Sequence, residues 1–251
     1  MVTLATRSVT DEASDSTSGT FSASSSSPTS TSTDPPKNFG IVVFQAFELL
    51  DVFGPLEALG MLAKLYQLNL HIIAESLDLV STQPKSASMN ALNSSFFPQI
   101  QPTHTWATAP DDIDVLIIPG GLGTRSPNLT DLIEYVKTTY PKLQYLISIC
   151  TGASIAAKAG VLDGRRATTN KASWASTIAS SSKVEWVTHA RWVVDGNVWT
   201  SSGISAGIDA TLAFIENIYG SDNATHIANM MEYERHTNST WDPFADLYGL
   251  E

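Results

Sequence analysis

Short apolar runs alternate with segments of helical period along most of this chain. Phe39-Gly-Ile-Val-Val-Phe44, Leu68-Asn-Leu-His-Ile-Ile-Ala74, Val115-Leu-Ile-Ile-Pro119 and Tyr145-Leu-Ile-Ser-Ile149 read as strands. The continuous ones suit strands covered on both faces, as in a parallel sheet. Between them, an amphipathic helix is expected from Asp51 to about Leu65, another over Leu129–Tyr140, and a third opening at the small residues Thr151–Ala159. The Ser-, Pro- and Asn-bearing stretch after Ala74 suggests short antiparallel strands. Val184–His189 reads as a further strand. Arg191–Asp195 and Asn197–Ser201 form a pair joined by the hairpin signal Asp195-Gly196. Ser205–Tyr219 and Asp222–Arg235 close the chain as helices. Such alternation predicts an α/β sandwich around a mostly parallel sheet, with ligands at the carboxyl ends of its strands.

The pattern begins only at Asn38. About half of residues 1–37 are Ser or Thr, with Pro28, Pro35 and Pro36 and almost no large apolar side chains. A segment of that composition cannot bury enough surface to offset its ordering entropy. The expected organisation is therefore a disordered tail over 1–37 and one folded domain over 38–251.

Composition narrows the function classes. The chain has 251 residues, 43% of them hydrophobic and 16% charged, with net charge −11. That fits a globular protein with a substantial core and argues against nucleic acid as a partner. No apolar run approaches membrane-spanning length, and the N-terminus lacks the apolar region of a secretory signal. A cytoplasmic location is expected. Sequons at Asn93, Asn128, Asn223 and Asn238 bear on the chain only if it is secreted. One cysteine leaves no internal disulfide and no thiolate-rich metal site. His71, His104, His189, His226 and His236 show no ligand spacing supported by a third group, so neither metal nor cofactor is expected. The tryptophans Trp174, Trp186, Trp192, Trp199 and Trp241 read mostly as core or rim.

The single cysteine, Cys150, stands at the junction of an apolar strand and a small-residue helix. A thiol there meets free backbone N–H groups and the positive end of a helix dipole, which favour a thiolate and a nucleophile. The plainer alternative is a small buried hydrophobe. Glu48 and Asp51, Gly120-Gly121 and Cys150 all follow apolar strands, so all can meet in one crevice. A carboxylate beside a thiolate is repulsive, so one of the two should hold a proton, which suits acid–base work. Asp51 could instead cap its own helix. Pro119-Gly120-Gly121 could be only a tight strand-end turn.

Five segments carry a resemblance. Phe44–Pro55, Ile118-Pro-Gly-Gly-Leu-Gly123, Ile149-Cys-Thr-Gly152, Leu162-Asp-Gly-Arg-Arg-Ala-Thr-Thr169 and Gly203-Ile-Ser-Ala-Gly-Ile-Asp209 resemble the ThiJ/PfpI superfamily, and within it the isocyanide (isonitrile) hydratase branch. The resemblance implies a flavodoxin-like three-layer sandwich, a homodimer, and a nucleophile cysteine on a strained elbow. It assigns Cys150 as nucleophile, Asp51 as its acidic partner and Thr151 as the residue after the nucleophile. Backbone N–H groups at Gly121 and Thr151, beside Gly120, would stabilise charge. The implied reaction on a small electrophilic substrate is isocyanide hydration to a formamide through a thioimidate. Superfamily members described as proteases or glyoxalases carry His directly after the nucleophile, where this chain has Thr151. Related sequences often have His after the Arg-Ala-Thr-Thr run, where it has Asn170. A glyoxalase- or deglycase-like enzyme acting on 2-oxoaldehydes is one alternative. A non-catalytic redox sensor or chaperone working through oxidation of Cys150 is another. A regulator with an appended helix-turn-helix domain is unsupported, since only about thirty residues follow Tyr219 and they are acidic on balance.

Overall fold

The structure is a computed structural model that describes residues 34–250. Most of the expected 1–37 tail lies outside the described residues. Just upstream of Asn38, Pro36 is buried, its carbonyl accepts from the Tyr219 hydroxyl, and the Lys37 N–H donates to Asp114 Oδ2 at 2.8 Å.

Seven strands form the central sheet. They are β1 (Asn38–Val42), β2 (Asn69–Ala74), β5 (His104–Thr105), β6 (Val115–Ile118), β7 (Tyr145–Ile149), β10 (Trp192–Asp195) and β11 (Val198–Ser201), in the order β10-β11-β7-β6-β1-β2-β5. Every neighbouring pair is parallel except the β10–β11 hairpin. The central strands are apolar on both faces because both faces are covered: Ile41, Leu116, Ile117, Leu146, Ile147 and Ile149 are at most 1% exposed. Helices α1 (Leu49–Leu62), α5 (Ala206–Tyr219) and α6 (Ser221–Met230) pack together on one face. On the other lie α2 (Thr130–Thr139), α3 (Ala153–Lys158) and α4 (Trp174–Ile178). The architecture is thus a three-layer α/β sandwich around a mostly parallel sheet.

Differences from the sequence pattern follow from local causes. The stretch after Ala74 does make an antiparallel pair, β3 (Val80–Ser81) with β4 (Gln99–Ile100), but β5 instead extends the main sheet in parallel with β2. Val184–His189 shrinks to β9 (Glu185–Trp186), paired with the two residues of β8 (Arg166–Ala167). The last expected helix stops at Met230, and Glu232 adopts a left-handed φ of 49°. From there the chain runs irregularly to α7 (Pro243–Leu247), where Asp242 caps the helix by accepting from the Phe244 N–H. Among the described residues no helix is long and apolar enough to cross a membrane.

Register sets up the site. Ile117 stands opposite both Ile41 and Ile147, and Ile149 stands opposite Ser201. The residues that leave β6, β7 and β11, namely Pro119-Gly120, Cys150 and Ser202–Ile204, therefore emerge side by side at the carboxyl edge of the sheet.

Candidate active site

Cys150 directly follows β7 and opens a 3-10 turn, Cys150–Gly152, before α3 begins at Ala153. Its φ is +55°, a left-handed conformation that non-glycine residues adopt at a cost of about 1–3 kcal/mol and hold only where the surroundings over-determine them. Here they do. The Cys150 N–H donates to Ser202 O at 3.3 Å, and its carbonyl accepts from Thr169 Oγ1 at 2.7 Å.

Asp51 comes from the first turn of α1 and is fully buried. It does not cap its helix, because α1 starts at Leu49 with Glu48 in the N-cap position. Instead Asp51 Oδ2 accepts the Gly120 N–H at 2.8 Å from across the sheet edge, while Oδ1 has no nitrogen or oxygen partner. Burial lifts this carboxyl to about 8, aided by the nearby charge of Glu48, with the Gly120 N–H and the Cys150 thiol pulling the other way.

The thiol differs from the sequence expectation. Cys150 is only 5% exposed, and burial, then the Asp51 charge, push its pKa up to about 12. The helix dipole expected to lower it belongs to α3, whose first turn is displaced by the 3-10 segment. Three donors oppose the rise: the Ile204 N–H, the Thr151 N–H and the Asn170 side chain. Asn170 Oδ1 is engaged by the Ser173 N–H at 2.9 Å, which turns the amide nitrogen toward the cysteine. At neutral pH the pair therefore holds both protons, poised among donors that favour charge once it forms.

The glycines serve close approach. A Cβ on Gly120 would lie 2.6 Å from Thr151 N and 2.9 Å from Asp51 Oδ2; one on Gly121, at φ +122°, would meet Glu48 N at 2.4 Å. The expected role of the Gly121 N–H changes, because it donates to Thr151 Oγ1 at 3.0 Å and is not free for a substrate. Thr151 has two duties: its hydroxyl ties the Gly121–Thr124 turn to the nucleophile loop, and its N–H faces the sulfur.

The structure thus brings Asp51, Gly120, Gly121, Cys150 and Thr151 together. It adds Ile204, Asn170 and Thr169, for which sequence reasoning assigned no role on the nucleophile. Ile204 follows a strand at the same sheet edge as the others and lies in the family-like segment Gly203–Asp209, and those were its only signals. Its φ of +41° is unusual for a β-branched residue and aims its N–H at Cys150. His189 is exposed and lies 3.8 Å from Asp246, and no histidine is among the groups acting on the thiol. Among the described residues no group of three His, Cys, Asp or Glu is arranged to hold a metal.

Residues 37–217 match the DJ-1/PfpI family. The chain belongs to that family. Among its relatives, the isonitrile hydratase of Pseudomonas putida is 31% identical over 196 residues, 77% of each chain. A deglycase of Pyrococcus abyssi is 36% identical over 102 residues, 40% of this chain and 59% of the other. A ThiJ/PfpI family protein from Pseudomonas syringae superposes with a TM-score of 0.64 at 27% identity, covering 80% of this chain and 76% of its own. Drosophila melanogaster DJ-1beta shares the fold, with a TM-score of 0.61 at 20% identity. The family therefore includes enzymes of more than one reaction type.

Proposed function

We propose that this DJ-1/PfpI protein hydrates a small, uncharged isocyanide to an N-substituted formamide, with Cys150 as nucleophile and Asp51 as acid–base partner. The observation that carries the reading is the buried Asp51 carboxyl, pKa about 8, set against a thiol whose next residue is Thr151. An isocyanide carbon must gain both a proton and a nucleophile. A neutral carboxylic acid beside a thiol supplies both without a histidine.

In the first step the Asp51 proton goes to the isocyanide carbon, the Cys150 sulfur bonds to that carbon, and the thiol proton replaces the one Asp51 gave up. RNC and Cys-SH become the thioimidate RN=CH–S-Cys. Water then adds to that carbon, with Asp51 giving its proton to the imine nitrogen and taking one from the water. The C–S bond breaks, releasing RNH–CHO and restoring the thiol. The Thr151 and Ile204 N–H groups and Asn170 stabilise charge on the sulfur as it attacks and departs. The likeness to the Pseudomonas putida hydratase over most of both chains supports this reading.

The deglycase relatives favour 2-oxoaldehyde chemistry as the second reading. It asks for a base beside Cys150, and a carboxyl that is protonated below about pH 8 is a poor one. Parallel turnover assays on an aryl isocyanide and on a 2-oxoaldehyde separate the two. Formamide formation without 2-hydroxy acid is expected; 2-hydroxy acid without formamide would reverse the assignment. No turnover of either, with a gain of stability on oxidation of Cys150, would point to the redox sensor.

A further inference from the structure

A buried ion pair stands behind the active site and takes no part in the chemistry above. Lys171 Nζ lies 2.9 Å from Asp242 Oδ2, and both side chains are about 1% exposed. The ammonium also reaches Thr168 Oγ1 at 2.8 Å, Ala190 O at 3.0 Å, Thr169 O at 3.2 Å and Ser202 Oγ at 3.3 Å.

Two of those partners lead directly to the nucleophile. Thr169 Oγ1 donates to the Cys150 carbonyl, and Ser202 O accepts the Cys150 N–H. Between Thr169 and Lys171 sits Asn170, whose side chain faces the sulfur. Two residues past Ser202 is Ile204, whose N–H does the same. One ammonium therefore gathers both segments that hold Cys150 in its left-handed conformation and present donors to its sulfur.

Its counter-charge arrives from the far end of the chain. Asp242 lies in the irregular segment between α6 and α7. That segment is anchored by a second buried pair: Arg191 bonds Asp209 at 2.7 Å, the His236 N–H donates to Asp209 Oδ1 at 2.9 Å, and the Arg191 N–H donates to Ser239 O at 2.7 Å. Two buried charges cost desolvation that a pair of apolar residues would avoid, so stability alone is a weak reason for them. The three N–H donors of an ammonium, shared among Thr168 Oγ1, Thr169 O, Ala190 O and Ser202 Oγ, give directional bonds that an apolar pair cannot supply.

We propose that Lys171 and Asp242 are positioning residues: the C-terminal segment delivers a carboxylate to Lys171, and the pair locks residues 168–171 and Ser202 so that Asn170 and Ile204 stay directed at Cys150. The inference rests on Cys150 as the reactive thiol, but not on isocyanide as the substrate.

Cys150 is the only cysteine, so alkylation of the full chain by iodoacetamide reports on it alone. The test compares wild type with Lys171→Met/Asp242→Leu, which leaves no unpaired buried charge. Asp51, with Glu48 behind it, is the charged group facing the thiol, and neither is altered. Losing the donors while the burial remains should raise the apparent thiol pKa and slow alkylation at neutral pH by about tenfold per pKa unit, alongside the modest fall in thermal midpoint that loss of the Asp242 cap on α7 brings. An unchanged or lowered thiol pKa in the folded double variant would overturn the proposal. Should that variant fail to fold, Asp242→Asn keeps an oxygen near Lys171 and must shift the thiol pKa in the same direction by less; a wild-type profile there overturns the proposal equally. Because alkylation is the readout, a chain that turns over no isocyanide tests the pair just as well.

Discussion

The Gly120 backbone N–H donates to Asp51 Oδ2 at 2.8 Å, holding a fully buried carboxyl beside the nucleophile while Oδ1 is left with no nitrogen or oxygen partner. The bond fixes the carboxyl's orientation, and burial keeps it protonated near neutral pH. Asp51→Asn preserves an acceptor for Gly120 but cannot exchange a proton. Turnover of an aryl isocyanide should fall by roughly two to four orders of magnitude. The thiol pKa should drop, because the carboxylate charge that raises it is gone. Near wild-type turnover would remove Asp51 from the mechanism.

The same carboxyl sets a pH dependence of stability. Its folded pKa, about 8, lies above the ordinary 3.8, so the folded chain retains a proton that the unfolded chain releases. Stability from this group is fully present below pH 3.8 and is lost as pH rises toward 8. Asp51→Asn has no such loss. Its thermal midpoint should exceed that of wild type by a margin that widens across this window and levels off above it. A constant margin measured by calorimetry would mean that Asp51 is ionised throughout.

Much of this was legible beforehand, and the reasons differ by residue. The runs Val115–Ile118 and Tyr145–Ile149 read cleanly because strands covered on both faces are apolar without interruption. Asp51, Gly120 and Cys150 stood out because each follows such a run. The thiol pKa was misjudged because a strand–helix junction shows the dipole but not the depth of burial. Gly121 was given a free N–H because Thr151 Oγ1, thirty residues away, cannot be placed opposite it from sequence. Thr169 showed only as the end of a family-like segment and Asn170 only as a position where related sequences carry His; with the Lys171–Asp242 pair they belong to loops without periodicity, and their relation to Cys150 comes from tertiary contacts.

Asn170 supplies one donor to the sulfur and holds the Ser173 N–H with its other atom. Asn170→Ala should raise the thiol pKa and reduce kcat by about tenfold to a hundredfold, within the range for loss of a charge-stabilising donor. KM should change little. A large KM effect with kcat unchanged would make Asn170 a substrate-binding group instead.

The boundary of the folded domain is open to truncation. Removing residues 1–33 should leave the melting temperature nearly unchanged, since that composition offers little apolar surface for docking. Removing residues 1–37 also deletes buried Pro36, the acceptor for Tyr219, and the Lys37 bond to Asp114. A fall of a few degrees is expected for that longer deletion alone. Equal midpoints for both truncations would show that Pro36 and Lys37 contribute nothing.

The central claim is covalent chemistry at Cys150, and intact-protein mass spectrometry during reaction with an aryl isocyanide tests it most directly. The account predicts a transient adduct of one isocyanide mass on Cys150, decaying as the N-aryl formamide appears, with neither adduct nor product from Cys150→Ala. Formamide produced at an undiminished rate by folded Cys150→Ala would contradict it, as would wild-type protein that forms neither adduct nor formamide.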